Sequence, residues 1–307
     1  MIHSNSEGDI YIEEMPLLLV HLREEEKGAD ARLSEVLSYA LDGYAYETAT
    51  EISAFEDYVN RWRRLEKTQN RKNPVQGRIL FAVPLGTSGI NLELYCLIRF
   101  LREHPDFLNG FVGGLLVDSE NDLYSKSAAK DLVFAANCAG CAFVGRPLVE
   151  GTRTLSNYTI VSNNLGTDLM GAYRESAAGL VKEVLGTDCV RKKCPKVLVL
   201  HASSHKTSNT YAIWNRVKEQ LPEMEIREIG LRNGTLSDCA GCPYKMCLHF
   251  GEQGSCFYGG VMVEDVYPAV READAIVMLC PNYNDALSAN LTAFINRLTS
   301  LFRTTRF

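Results

Sequence analysis

Length, composition and charge limit the classes of protein to which this chain can belong. Its 307 residues suggest two domains of roughly 100–200 residues each. With 46% hydrophobic and 23% charged residues, the composition excludes disordered, collagen-like and coiled-coil classes. The net charge of −6 argues against a protein held on nucleic acid by its overall charge. No apolar run reaches the roughly 18 residues of a membrane span, so we expect no membrane partner.

The N-terminal sequence and the cysteines predict a cytoplasmic protein. Residues 1–9 lack the basic and apolar stretches of a secretory signal peptide. We therefore expect the ten cysteines to be in a reducing compartment, where thiols and metal or cluster ligands are commoner than structural disulfides.

The first 186 residues alternate between strand and helix patterns. Short apolar runs predict five strands, at 16–22, 44–50, 78–84, 110–118 and 141–144. Apolar residues at helical spacing predict a helix after each strand, at 31–41, 55–65, 92–103, 125–139 and 168–185. Consecutive parallel strands need a crossover of a helix's length. We therefore predict an α/β fold, a doubly wound parallel sheet of flavodoxin type, over residues 1–186.

The pattern starts again after a predicted linker at 187–195. Residues 196–307 predict strands at 197–200, 224–231 and 275–280, with helices at 209–221, 263–270 and 291–302 and a cysteine-rich loop at 237–260. Three strands fall short of the five in a flavodoxin-type sheet, and the third has an open edge. The first domain, a second chain or residues beyond Phe307 could complete the sheet, and we expect the last of these.

Two polar loops of the second domain follow strands and precede helices. In the loop at 201–210, hydroxyl side chains, Lys206 and the helix N-terminus suit a phosphate group, although an ordinary capping loop has a similar composition. The other loop, at 281–290, follows the third strand. In a sheet of order 2-1-3 these two strands are neighbours, so the loops are expected to meet at one crevice. There Tyr283 could stack on a flat ring.

Residues 196–302 resemble the NAD(P)H-dependent FMN reductase family, which has the flavodoxin-like fold. The matching features are Ser203-Ser-His-Lys206, Ser208-Asn-Thr210, Asp274-Ala-Ile-Val277, Pro281-Asn-Tyr283, Ser288-Ala289 and Asn296-Arg297. The resemblance implies that the FMN phosphate is held by Ser203, Lys206, Ser208, Asn209 and Thr210. It implies that the flavin ring is lined by Pro281, Asn282, Tyr283 and Asn284. Asn296 stands where the family usually has Asp, and the family's third flavin-contacting loop is not found here.

The same resemblance implies an enzymatic function. A nicotinamide coenzyme, NADH or NADPH, would reduce the flavin, which would pass electrons to a small-molecule or protein acceptor. Because the flavin carries the chemistry, no catalytic residue is assigned. Members of the family commonly self-associate, so we expect a homo-oligomer.

Four cysteines of the second domain form a compact motif, namely Cys239, Cys242, Cys247 and Cys256. Four thiolates so close in sequence can surround one zinc ion or one [4Fe–4S] cluster. The position of the motif resembles that in iron–sulfur flavoproteins, although their second and third cysteines are closer in sequence. The alternatives are therefore an electron-transferring iron–sulfur flavoprotein, a zinc site, plain thiols, or a non-catalytic metal-binding or interaction protein of this fold.

The first domain is predicted to be a degenerate duplicate that does not bind flavin. Three consecutive glutamates, at 24–26, follow its first strand and would repel a phosphate group. The small residues of the loop Pro84–Asn91 could contact a phosphate, but this loop alone is a weak signal.

Overall fold

The computed structural model describes residues 15–23, 27–68, 76–189, 192–202, 208–231, 234–282 and 284–302. The chain divides into two compact units, Met1–Val190 and Arg191–Phe307. Among the described residues, no helix is both long and apolar enough to cross a membrane.

The first unit is a parallel sheet with helices on both faces. Its strands are β1 (Leu17–His21), β2 (Tyr46–Ala49), β3 (Gly77–Leu85), β4 (Phe111–Ser119) and β5 (Ala142–Gly151). Its helices are α1 (Lys27–Ala40), α2 (Ile52–Thr68), α3 (Leu92–Glu103), α4 (Ser125–Cys138), α5 (Thr159–Leu165) and α6 (Leu169–Gly186). The strand order β2-β1-β3-β4-β5 is that of the flavodoxin-like fold, as predicted.

Alternate residues of the central strands of this sheet face two hydrophobic cores. Leu18 and Ile79 belong to the core that contains the apolar stripes of α2, α3 and α4. Leu17 and Leu80 face the opposite core, with α1 and α6. Because both faces are covered, β3 is buried along almost its whole length, which explains its continuous apolar sequence.

The second unit is a smaller parallel sheet. Its strands are β6 (Lys196–His201), β7 (Glu225–Gly230) and β8 (Ala275–Leu279), in the order β7-β6-β8. Its helices are α7 (Asn209–Lys218), α8 (Tyr244–Glu252), α9 (Tyr267–Glu272), α10 (Ala289–Arg297) and α11 (Thr299–Phe302), and a π-helical turn at Met262–Val266 runs into α9. The predicted strand–helix alternation is therefore present in both units.

Three predicted elements need correction, and one segment that lies between predicted elements contains a 3-10 turn and a helix. The cysteine-rich segment contains α8, which begins after Pro243, a residue compatible with a helix start. The polar stretch at 151–167 contains a 3-10 turn, Ser156–Tyr158, and then α5. Strand β5 continues past residue 144 to Gly151 through an irregular register, which interrupts the apolar pattern. The last predicted helix is divided into α10 and α11.

The predicted linker is bonded to the rest of the chain at both ends. Gln76 exchanges two hydrogen bonds with the backbone of Cys189, at 2.5 and 2.9 Å, and Arg78 Nη2 donates to Asp188 Oδ1 at 2.6 Å. Lys192 Nζ lies 2.5 Å from Asp274 Oδ1. Each described part of the linker is thus anchored to the unit on its own side.

The third strand of the second unit has a free edge that its counterpart in the first unit lacks. Strand β3 lies between β1 and β4, whereas β8 pairs with β6 alone among the described residues. Ile276 and Met278 of β8 are consequently 41% and 44% exposed. The described part of the second unit therefore matches three of the five strands of the flavodoxin-like sheet.

Helix α7 is hydrogen-bonded to β7 through one carboxylate. Glu228 accepts hydrogen bonds from Tyr211 Oη at 2.5 Å, from Lys218 Nζ at 2.7 Å and from Trp214 Nε1 at 3.3 Å. Burial alone would raise the pKa of Glu228, but these hydrogen bonds and the charge of Lys218 together lower the pKa from 4.5 to about 2. Because the donors span the first and last turns of α7, they fix the direction of its axis.

The Glu228 network predicts an acid-sensitive second unit. A carboxyl whose pKa is lower in the folded state stabilises the fold fully above its unfolded pKa, and this contribution is lost as the pH falls from about 4.5 to about 2. We expect Glu228→Gln to lower the urea midpoint at about pH 7 and to lose this effect as the pH approaches 2. Unfolding of the second unit is measured by the fluorescence of Trp214 in a Trp62→Phe background, which removes the other of the two tryptophans.

Glu225→Gln is the matched control, because Glu225 is an exposed residue of the same strand. The account is contradicted if Glu228→Gln lowers the midpoint equally at about pH 7 and about pH 2.

Candidate functional site

Strands β6 and β8 end side by side at one edge of the second sheet. His201 pairs with Leu279, and these are the last residues of the two strands. Since β7 lies on the other side of β6, the strand order reverses between β6 and β8, and ligands of open α/β sheets bind at such a point. The predicted neighbourhood of these strands is confirmed, and the segments that follow them begin at the same crevice.

Helix α7, which follows β6, begins at this edge. Ser208 is its N-cap, and its Oγ accepts a hydrogen bond from the Tyr211 backbone N–H at 3.2 Å. Asn209 and Thr210 form the first turn, where backbone N–H groups precede the first intrahelical bond. These N–H groups and the positive end of the helix dipole suit a phosphate group. The predicted phosphate ligands Ser203 and Lys206 lie outside the described residues.

The segment after β8 makes a tight turn. Asn282 Oδ1 accepts a hydrogen bond from the Asp285 backbone N–H at 2.8 Å. Asn284 and Asp285 have left-handed φ angles of 51° and 59°, which these two residue types adopt more readily than most. Pro281 is half-buried, Asn282 and Asn284 are exposed, and Tyr283 lies outside the described residues. The turn therefore presents polar groups at the crevice edge.

Ser288, at the N-cap of α10, supplies a buried hydroxyl in the segment that follows this turn. Its backbone carbonyl accepts from Thr292 N–H at 3.0 Å, but its Oγ has no hydrogen-bond partner among the described residues. A buried hydroxyl left unpaired costs about 1–3 kcal/mol, so a polar ligand group would be favoured there. The N-terminus of α7 and the polar turn after β8 suit a molecule with a phosphate and a polar ring edge, as FMN has.

The four cysteines of the predicted metal motif line one cavity of about 30 Å³. Cys239, Cys242, Cys247 and Cys256 share it with the rings of Phe250 and Phe257. No three His, Cys, Asp or Glu residues in the described part of the chain are arranged to hold a metal ion. The fold thus brings the four thiols to a common cavity without ligand geometry, and the metal or cluster site stays a prediction.

In the first unit, a carboxylate of the unit itself is bonded to the helix N-terminus that corresponds to the candidate phosphate site. Ala29, in the first turn of α1, donates its backbone N–H to Glu120 Oε1 at 3.1 Å. A carboxylate at a helix N-terminus satisfies the donors that a phosphate would use. The glutamates at 24–26, which were predicted to repel a phosphate, lie outside the described residues. That the first unit does not bind flavin stays a prediction, which this bond favours; the distance between Ala29 and Glu120 in the sequence hides the bond from pattern analysis.

The loop after β3 is likewise occupied by internal bonds. Asn91 is buried, and its Nδ2 donates to the carbonyl oxygens of Leu22 and Pro84 at 3.1 and 2.8 Å. Its Oδ1 caps α3 by accepting from Leu94 N–H at 2.8 Å. The side chain of Asn91 therefore acts as a structural tie between β1, β3 and α3.

The second unit has three parallel strands in a flavodoxin-like order, with a crevice at the switch point between β6 and β8. Residues 195–306 match the family described as NADPH-dependent FMN reductase. This match covers the second unit, confirms the resemblance and supports an FMN-dependent oxidoreductase in general. No curated protein shows a significant match to the chain.

The contrast between the two units predicts one FMN per chain. The N-terminus of α7 is capped by its own Ser208, whereas its counterpart in the first unit is bonded to the sequence-distant carboxylate of Glu120. We therefore expect protein saturated with FMN and freed of excess flavin to contain one flavin per chain, measured by flavin absorbance against amino-acid analysis. Glu120→Gln, which keeps an acceptor for Ala29 N–H, should leave this ratio unchanged. A ratio near two in the unaltered protein would contradict the contrast.

Proposed function

We propose that the chain binds FMN in its second unit and transfers electrons from NADPH or NADH to a small-molecule or protein acceptor. The family match of residues 195–306 supports this function. The observation that carries it is that α7 and the turn after β8 follow neighbouring strands, β6 and β8, at the switch point of the sheet.

In this proposal the chain's own residues bind and orient the cofactor. Ser203, Lys206, Ser208, Asn209 and Thr210 hold the phosphate, and Pro281, Asn282, Tyr283 and Asn284 line the ring. FMN, when bound, supplies the capacity to accept a hydride and to release electrons singly or in pairs. No side chain is assigned as a general acid or base.

Substitutions of Ser208 can distinguish an effect on phosphate binding from an effect on helix stability. Asn and Asp are both good N-caps, but only Asp adds a negative charge beside the phosphate position. We expect Ser208→Asp to weaken FMN binding tenfold or more while the urea midpoint stays close to that of the unaltered protein. Isothermal titration calorimetry with FMN measures the affinity.

Ser208→Asn is the matched control, because Asn is close to Asp in size and is an equally good N-cap but carries no charge. Its FMN affinity should stay within about threefold of the original. Equal affinities of the Asp and Asn variants would place the phosphate elsewhere.

An anaerobic titration tests the electron donor directly. We expect stoichiometric NADPH or NADH to bleach the visible absorbance of the FMN-loaded protein, and air or an artificial acceptor to restore it. A protein that binds FMN but is reduced by neither coenzyme is not an NAD(P)H oxidoreductase. A protein that binds no FMN would instead favour a non-catalytic interaction role for the fold.

The shared cysteine cavity favours a metal-containing protein as the second candidate. In this hypothesis zinc or a [4Fe–4S] cluster is held by Cys239, Cys242, Cys247 and Cys256. A cluster would make the chain an electron-transferring iron–sulfur flavoprotein. Zinc, iron and acid-labile sulfide assayed on anaerobically purified protein distinguish these cases.

We also propose, from the family resemblance, that the protein is cytoplasmic and self-associates. Sedimentation velocity over a range of concentrations tests the second point. A monomer at all concentrations would overturn it.

A further inference from the structure

A polar cavity of about 420 Å³ lies in the first unit, where β4 and β5 end. Its walls are formed by the segment between β4 and α4, the start of α4 and the segment that begins with the last residues of β5. Ligands of open α/β sheets bind beyond the carboxyl ends of the strands, in cavities of about 300–1,000 Å³. The position and the size of this cavity therefore suit a small molecule. The candidate flavin crevice lies in the other unit and shares none of these residues.

Glu150, in β5, lines this cavity with a side chain that is only 13% exposed. Its Oε1 accepts a hydrogen bond from Ser125 Oγ, and its Oε2 is 3.9 Å from Lys126 Nζ. The Lys126 side chain is 83% exposed, and no residue that the structure describes donates a hydrogen bond to Oε2. A mostly buried carboxylate oxygen without a hydrogen-bond donor favours a ligand that supplies one.

The charges around the cavity favour an uncharged ligand. The carboxylates of Asp122 and Glu150 and the ammonium group of Lys126 line it. Hydrogen bonds from the backbone N–H and the hydroxyl of Thr154 lower the pKa of Asp122, which is therefore ionised at neutral pH. The carboxylates repel a phosphate group, and Lys126 repels an amine. Hydroxyl groups, which donate to carboxylates, match the lining without introducing a charge.

Two large hydrophobic side chains line the same cavity as these polar groups. Leu123 and Tyr124 are 61% and 54% exposed. A sugar ring has C–H groups on its faces and hydroxyls around its edge, so it can pack on an aromatic ring while a carboxylate binds its hydroxyls. Tyr124 and Glu150 together therefore supply both kinds of contact that a sugar ring needs.

The backbone around the cavity is strained and held in place. Tyr124 has a left-handed φ angle of 72°, and Leu155, in the segment after β5, has one of 53°. Bulky residues seldom adopt this region. The backbone N–H and the hydroxyl of Thr154 donate to Asp122 Oδ1 at 3.0 and 2.8 Å, which joins the two segments that form the walls. Such strain persists where the surrounding structure maintains it, as at ligand sites.

We propose that this cavity binds a neutral ligand with adjacent ring hydroxyls, either a free sugar or the ribose of a nucleoside. Glu150 accepts hydrogen bonds from the hydroxyls, and Tyr124 packs against the ring. Carboxylates bind ribose hydroxyls in the same way in dinucleotide-binding folds. The binding is non-covalent and does not depend on the proposed flavin function.

The test is the binding of D-glucose, D-ribose and adenosine to the full chain, measured by saturation-transfer NMR and by isothermal titration calorimetry. We expect at least one of these probes to bind. Binding of glucose or ribose without adenosine indicates a free sugar, and tighter binding of adenosine than of ribose indicates a nucleoside. In the second case 2′-deoxyadenosine, which lacks one of the adjacent hydroxyls, should bind about tenfold more weakly than adenosine.

Two variants locate the bound probe. Glu150→Gln should weaken its binding about tenfold, because the charged acceptor is lost. Tyr124→Gly should weaken it about fivefold without lowering the urea midpoint, because glycine adopts a positive φ angle without strain. A merely structural role of the Tyr124 ring would lower the midpoint instead. Glu103→Gln is the matched control, because Glu103 is an exposed residue of α3 in the same unit.

The proposal is overturned if none of the three probes binds the original protein at the highest concentrations that they reach in solution. It is equally overturned if a probe binds but Glu150→Gln and Tyr124→Gly leave its affinity unchanged, because the probe then binds elsewhere. If Glu150→Gln does not fold, an unchanged affinity of Tyr124→Gly alone overturns it. The FMN affinity of the same samples tests the flavin function separately.

Discussion

The pairing of β8 with β6, on the side opposite β7, is the constraint on which the candidate site depends. It places the carboxyl ends of two strands together, although the segments that follow them are far apart in the sequence. The first turn of α7 and the turn at 281–285 then bound the same crevice. Glu228 fixes the direction of the α7 axis, because its three hydrogen bonds join α7 to β7 along the length of the helix.

The same strand order in the first unit leads to different chemistry. There the N-terminus of α1 bonds to Glu120, and Arg32 makes a salt bridge of 2.6 Å to the buried Asp118. Burial raises the pKa of Asp118 even though Arg32 lies beside it. A flavodoxin-like fold therefore offers an anion site only where no internal carboxylate takes the helix N-terminus, and the fold alone does not define function.

The sequence predicts those features that depend on local periodicity. The continuous apolar runs at 79–85 and 197–200 predict buried central strands, and the strand–helix alternation predicts the parallel order. Helix α8 is not predicted, because the cysteines, the glycines and Pro243 around it are residue types typical of a loop. The bonds of Glu120 to Ala29 and of Arg297 to Gly259 are also hidden, because they join residues that only the tertiary fold brings together. The candidate flavin loops are predicted because their composition agrees with their positions after neighbouring strands, and only those strand positions are confirmed.

Hydrogen–deuterium exchange with and without FMN tests most directly the claim that flavin binds at the switch point of the second unit. The account predicts slower exchange on FMN binding in peptides that cover residues 203–212 and 281–290. Peptides at 22–30 and 86–91 of the first unit should be unchanged. Protection of the first-unit peptides, or flavin binding with no protection at 203–212 and 281–290, would contradict the account.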